Sequence, residues 1–180
     1  MKIFNKILKN LLIAPLGFLA YYRLNVVNKL HVKGLRYLKF LPKTNVLFIS
    51  NHQTYYADVA ALITALSAAK WGRYKYFGFP YYMISPFLNL KYVAASETMK
   101  ESGWLPKVFA LCGAITVDRT WRSKGQDVKR DVNTSDQDKI GEALAEGWLI
   151  SFPQGTTTPF APGRKGTAHI IKMFKPVVIP

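Results

Sequence analysis

His52 stands in the stretch Asn51-His52-Gln53-Thr54-Tyr55-Tyr56-Ala57-Asp58, directly after the apolar run Val46 to Ser50. Imidazole titrates close to neutral pH, so it can take a proton from an attacking hydroxyl and pass it on. A carboxylate a few residues later, across a turn, can hold one ring nitrogen in its protonated tautomer and stabilise the imidazolium as it forms; Asp58 is placed to do this. Such a base is worth about 10²–10⁴ in rate. The spacing alone is common, because a histidine near a helix start also serves as a cap or as packing. Of the other two histidines, His31 and His169, the latter lies in a helical pattern and reads as structural.

Two further clusters of small and polar residues follow apolar runs. Asp118-Arg119 comes after Ala114 to Val117, and Pro153-Gln154-Gly155-Thr156 comes after Trp148 to Phe152. In open α/β sheets ligands sit at these strand ends. A guanidinium such as Arg119 grips a phosphate with two parallel bonds, although a surface ion pair with Asp118 would use the same residue. Lys165, in Gly163-Arg164-Lys165-Gly166, suits either a phosphate or donor-binding role or a solvated loop. The single cysteine, Cys112, excludes an intrachain disulfide and a thiolate cluster for zinc. It lies in an apolar stretch and reads as buried rather than nucleophilic. No Gly-x-Ser-x-Gly occurs, which disfavours a serine hydrolase.

The elements that must position these groups alternate between strand and helix, the pattern of an α/β domain with a mixed, mostly parallel sheet flanked by helices. Strands are predicted at Val46 to Ser50, Tyr74 to Phe79, Ala114 to Val117, Trp148 to Phe152 and Val177 to Ile179. Helices are predicted at Asp58 to Ala69, at Asp136 to Glu146 behind a Ser135 cap, and at Gly166 to Phe174. Trp121 to Thr134 reads as a mobile loop. The aromatic stretch Tyr74 to Phe87 suits an acyl-chain groove, an interfacial contact or ordinary core.

Residues 1–30 form a different kind of segment, leaving residues 31–180 as the α/β domain. From Ile3 to Leu12, apolar residues fall on one helical face and Lys2, Lys6 and Lys9 on the other, as in helices that lie in the headgroup plane. The following run, Leu11 to Tyr22, falls short of the roughly 20 residues that span a bilayer and contains Pro15. It reads as monotopic, with Tyr21, Tyr22 and Arg23 as interfacial anchors. A signal peptide and a helix packed on its own core are the alternatives. The net charge is +15, and nine Lys or Arg residues precede the first acid, Asp58. A cationic surface of that kind attracts nucleic acid or an anionic membrane, and charge does not choose between them. An RNA-recognition strand at Lys75-Tyr76-Phe77-Gly78-Phe79 is weakened by Tyr76 in place of glycine and by Pro80.

Taken together, N-H-Q-T-Y-Y-A-D, G-A-I-T-V-D-R and F-P-Q-G-T-T-T-P-F, followed by V-V-I-P, resemble the motifs of the lysophosphatidic acid acyltransferase (PlsC-like) family from about His31 to Pro180. The resemblance implies transfer of a fatty acyl group from an acyl carrier protein or coenzyme A thioester to a lysophospholipid hydroxyl, with lysophosphatidate the first choice. It implies His52 and Asp58 as the catalytic dyad. Arg119 would lie near the acceptor phosphate, and Asn51, Gln53, Gln154, Gly155, Thr156, Thr157 and Lys165 would bind substrate. It also implies no metal, no cofactor beyond the thioester substrate, membrane lipids as partners, no nucleic acid, and a peripheral, monotopic place on the cytoplasmic face. Three departures stand out. Five residues rather than four separate His52 from Asp58, and Gln154 and Thr157 replace the family's usual Glu and Arg. The chain also ends at Pro180, where the family's fourth motif leads into further sheet and helix, so a C-terminally truncated domain is one expectation. Acylation of a phosphate-free lyso-aminolipid and a catalytically decayed membrane-binding homologue are the alternatives.

Overall fold

The computed structural model describes residues 2–75, 77–83, 89–100, 104–118, 122–123, 126–127 and 134–180. They divide into two units. One comprises Met1–Pro42 with Gln53–Asn89, and the other Lys43–His52 with Leu90–Pro180.

The first unit is helical. Helix α1 (Lys2–Tyr21) runs through Pro15 and continues as a wider π turn, Tyr22–Val27. Pro15 therefore does not end the helix, although it removes one backbone donor. None of the helices among the described residues is long and apolar enough to cross a membrane. Residues Leu35–Phe40 form a 3-10 helix that opens on Gly34, whose φ of 86° suits the residue without Cβ. Helix α2 (Ala57–Lys70) buries Val59 and every residue from Thr64 to Ala69. A Cβ on Gly17 of α1 would come within 2.5 Å of Met83, so glycine there permits the helix to sit against the short turn Tyr81–Met83. Phe18 and Phe79 meet edge to face at 5.5 Å between ring centres.

The predicted strand at Tyr74 to Phe79 does not form among the described residues of that stretch. Arg73 N–H bonds back to the Ala68 carbonyl, Gly78 adopts φ 60° and Pro80 follows, which together turn the chain repeatedly. Phe77 is instead buried in the helical unit. The RNA-recognition strand loses its basis with it, and Tyr76 lies outside the described residues.

The second unit carries a five-stranded sheet in the order β3-β2-β6-β1-β7. Its elements in chain order are β1 (Val46–Ile49), β2 (Leu90–Ala95), α3 (Ser96–Lys100), α4 (Trp104–Leu111) and β3 (Ala114–Val117). A two-stranded pair follows, β4 (Arg122–Ser123) with β5 (Gln126–Asp127), then α5 (Thr134–Glu146), β6 (Trp148–Ser151), α6 (Lys165–Phe174) and β7 (Val177–Ile179). Every pairing in the large sheet is parallel, rather than mixed. Near-continuous apolar strands such as Val46-Leu47-Phe48-Ile49 and Trp148-Leu149-Ile150 fit a sheet buried on both faces.

On one face Leu47, Leu149 and Ile115 pack with Ile140, Ala143 and Leu144 of α5 and Ile170 of α6. Gly141 keeps α5 open to Phe174 of α6, whose ring would lie 2.7 Å from an added Cβ. On the other face Phe48 and Trp148 are in ring contact at 5.2 Å, and the Tyr92 hydroxyl donates to the Phe109 carbonyl of α4 at 2.5 Å. Asn45, with φ 57°, gathers several ends: its N–H donates to Leu144 O at 2.7 Å, its amide to Phe174 O at 3.3 Å, and its carbonyl accepts from Val177 N–H at 2.9 Å. The loop expected at Trp121 to Thr134 contains the antiparallel β4–β5 pair, and α5 starts at Thr134, one residue ahead of the predicted Ser135 cap.

Candidate active site

Because the five strands are parallel, their C-terminal ends share one edge of the sheet. β1 and β6 are neighbours there, with Ile49 beside Ser151, and the ladder extends one step through Ser50 N–H to Ser151 O at 3.2 Å. The chain leaves β1 as Ser50-Asn51-His52 and β6 as Phe152-Pro153-Gln154-Gly155. Two motifs about a hundred residues apart are thereby brought side by side.

Their junction is specific. The His52 N–H donates to Gln154 Oε1 at 2.9 Å, and the imidazole stacks on the Phe152 ring, 4.2 Å between centres and 23° from parallel. Gln154 Nε2 donates in turn to the Ala161 carbonyl at 3.1 Å. One amide thus uses both its acceptor and its donor, tying the histidine backbone to the far side of its own loop. A carboxylate in that position would accept from His52 but face the Ala161 carbonyl oxygen without a proton to offer. Glutamine rather than glutamate suits both partners.

The loop after β6 is pinned by its own bonds. Gly155, at φ 63°, returns its N–H to Phe152 O at 3.1 Å, and Arg164 N–H reaches Pro153 O at 2.8 Å just ahead of α6. The hydroxyls of Thr156 and Thr158 lie 3.0 Å apart, with Thr158 N–H donating to Thr156 Oγ1 at 3.3 Å. Thr157 is half-buried between them. Lower down, the buried Ser151 and Thr167 hydroxyls share a 3.0 Å bond that joins β6 to α6.

Asp58 belongs to the first turn of α2 in the helical unit. Its Oδ2 accepts from Gln53 N–H at 2.7 Å and Thr54 N–H at 2.9 Å, and its Oδ1 accepts from the Thr54 hydroxyl at 2.9 Å. Asp58 N–H donates back to Thr54 Oγ1 at 3.1 Å. This reciprocal pair ties Thr54, two residues ahead of the Tyr56 N-cap, to the first turn of the helix, where a negative charge is also favoured. It fixes residues 53–58, the segment that begins one peptide bond after His52.

Among the other candidate residues, Asn51 is exposed and its carbonyl accepts from the Ser50 hydroxyl at 3.1 Å. Lys165 is the exposed first residue of α6, next to the Arg164 that is anchored to the β6 loop. Arg119 lies outside the described residues. Its predecessor Asp118 is held at the end of β3 by a 3.0 Å bond from its N–H to Asp136 Oδ2. The buried Asp136 also pairs with Lys139 at 2.8 Å, and that hydrogen bond raises the lysine pKa. Cys112 is 3% exposed.

Sequence reasoning missed Phe152 as the surface on which the imidazole rests, Thr54 as the partner of Asp58, and Asp136 as the anchor of the Asp118 turn. The Thr54–Asp58 spacing of four and an acid opening a helix were the available signals for the latter two. A family model described as Acyltransferase matches residues 29–180 of the chain. No curated protein and no solved structure matches. The motifs and their placement at parallel strand ends accord with that match, and the chain belongs to the Acyltransferase family, with acyl transfer as its general function.

Proposed function

We propose that this acyltransferase moves a fatty acyl group from a thioester of acyl carrier protein or coenzyme A onto the hydroxyl of a lysophospholipid, lysophosphatidate first among them. It works as a peripheral, monotopic protein on the cytoplasmic face of a membrane. The observation that carries the reading is the junction of His52 with Gln154 and Phe152 at adjacent strand ends, which holds an imidazole by its backbone and one ring face.

In this proposal His52 removes the acceptor's hydroxyl proton as oxygen attacks the thioester carbonyl, and Asp58 steadies the imidazolium. That attack forms the new C–O bond and a tetrahedral oxyanion, whose collapse restores the carbonyl and breaks C–S, and the proton passes from His52 to the departing thiolate. A thiol near pKa 8.5 leaves with little help, so a base and some stabilisation of the oxyanion suffice. Burial of Cys112 supports direct transfer without an acyl-enzyme. Arg119 pairs with the acceptor phosphate. Asn51, Gln53, Gln154, Gly155, Thr156, Thr157 and Lys165 complete the substrate contacts.

One observation favours a second acceptor. Gln154 is neutral and engaged at both ends of its amide, and with Thr157 it presents no charge to a headgroup, which suits a phosphate-free lyso-aminolipid. A panel of lysophosphatidate, other lysophospholipids and lyso-aminolipids with one acyl thioester, followed by mass spectrometry of the products, separates the two. In the same assay His52→Ala is expected to abolish thiol release, a loss of at least about 10²-fold, while vesicle binding stays unchanged. Turnover equal to the natural chain in that variant would remove His52 as the base.

A further inference from the structure

The short 3-10 helix Leu35–Phe40 has a feature that acyl transfer does not require. With about three residues per turn, side chains three apart line up, so six residues make three edges of two. Leu35 is buried and Leu38 half-buried, which makes theirs the inward edge, in a helix that packs beside α2. Arg36 and Lys39 form a second edge, and both are exposed. Tyr37 and Phe40 form the third, 62% and 81% exposed. The Arg36 guanidinium sits 5.2 Å from the centre of the Tyr37 ring, joining the cationic edge to the aromatic one.

Single exposed apolar residues need no explanation. Two aromatics in line, flanked by two cations in line, on a turn whose third edge is fixed inward, match the chemistry of the membrane interface: rings at headgroup depth and cations on phosphates. We infer that Leu35–Phe40 is a membrane anchor separate from α1, seating Tyr37 and Phe40 in a bilayer whose anionic headgroups meet Arg36 and Lys39. Nine basic residues and no acid precede Asp58, which calls for an anionic surface, and the two exposed rings beside the cations make that surface a bilayer rather than another polyanion. The same unit also exposes Leu19, Tyr22, Val26 and Val27. The inference rests on the membrane part of the proposed function and is independent of its chemistry.

The test is flotation of the full chain with vesicles of phosphatidylcholine alone or mixed with phosphatidylglycerol. Tyr37→Ser with Phe40→Ser should lower binding about tenfold or more on both compositions. Arg36→Gln with Lys39→Gln should lower it roughly 25-fold on the anionic vesicles only. Phe40→Trp should retain binding, and its added emission should be quenched by brominated acyl chains. Flotation of both double variants at the natural level would overturn the anchor. So would loss of binding to an acidic protein, such as acyl carrier protein, with vesicle binding intact. Thioester turnover on a detergent-dispersed acceptor, measured in parallel, keeps the two questions apart. Lost flotation with retained turnover supports the anchor, and the same flotation pattern in a chain without turnover supports it while refuting the acceptor chemistry.

Discussion

At the scale of the residue, Gln154 is the most informative side chain. It accepts from His52 and donates to Ala161, so its two substitutions test different halves of the amide. Gln154→Leu removes both bonds at a partly buried position, at a cost of about 1–3 kcal/mol in stability. Gln154→Glu restores the bond to His52 but sets a carboxylate against the Ala161 carbonyl. It is therefore expected to cost about 1 kcal/mol and to loosen the loop after β6. Urea denaturation alongside thioester turnover reads both, and a Glu variant as stable and active as the natural chain would show that the donor half is idle. The positions of His52 and Gln154 were legible in the sequence because each follows an apolar run. The stacking of the imidazole on Phe152 was not, since it depends on β1 and β6 lying side by side, and adjacency of strands is not written in either strand.

Tyr82 belongs to the same scale. It is fully buried and its hydroxyl has no hydrogen-bond partner among the described residues. Burial, with the Tyr21 phenol adding to it, holds its pKa far above the ordinary tyrosine value. The folded protein then keeps a proton that the unfolded chain gives up above about pH 10. Its contribution is complete below pH 10 and declines as the pH rises further; Lys139, raised by its bond to Asp136, acts in the same direction. Tyr82→Phe is expected to be neutral or stabilising by up to about 1 kcal/mol at pH 7. Thermal melts between pH 9 and 11 should also show a shallower decline than the natural chain, and an equally steep one would assign the alkaline loss elsewhere.

At the scale of the element, helix starts do most of the positioning. Asp136 opens α5 and, through Asp118 N–H, fixes the end of β3 immediately before Arg119. Asp136→Ala should cost about 2 kcal/mol, the sum of a helix-terminal charge and a buried acceptor, visible as a fall in Tm of about 5 °C. A change within about 1 °C would reduce the contact to ornament. Strands with long apolar runs, β1, β3, β6 and β7, were legible within a residue. Strand β2 was not: Leu90-Lys91-Tyr92-Val93 alternates around a lysine that pairs with Glu146 at 2.9 Å, and the aromatic run before it carried the stronger strand signal. Within that run Phe77 is buried in the helical unit by tertiary packing rather than by period. The 3-10 helix Leu35–Phe40 also escaped, because a three-residue period over six residues is too short to register.

At the scale of the whole molecule, β6 holds the sheet together. It lies between β2 and β1, so the β3–β2 pair and the β1–β7 pair meet only through it. A chain ending at Glu146 would lack β6 and β7, leaving β1 without a neighbour. It is expected to lose cooperative thermal unfolding and to elute as aggregate in size-exclusion chromatography. A monomer with a sharp melting transition would contradict this pairing order.

That order also bears on synthesis. β1 is complete about a hundred residues before Trp148, its first partner, is added. At about 5–20 residues per second the nascent chain carries Val46 to Ile49 as an unpaired hydrophobic strand for roughly 5–20 seconds. During that interval a chaperone, rather than the sheet, must shield it, so yield in a host depleted of ribosome-associated chaperones should fall more steeply for this chain than for one whose early strands form hairpins.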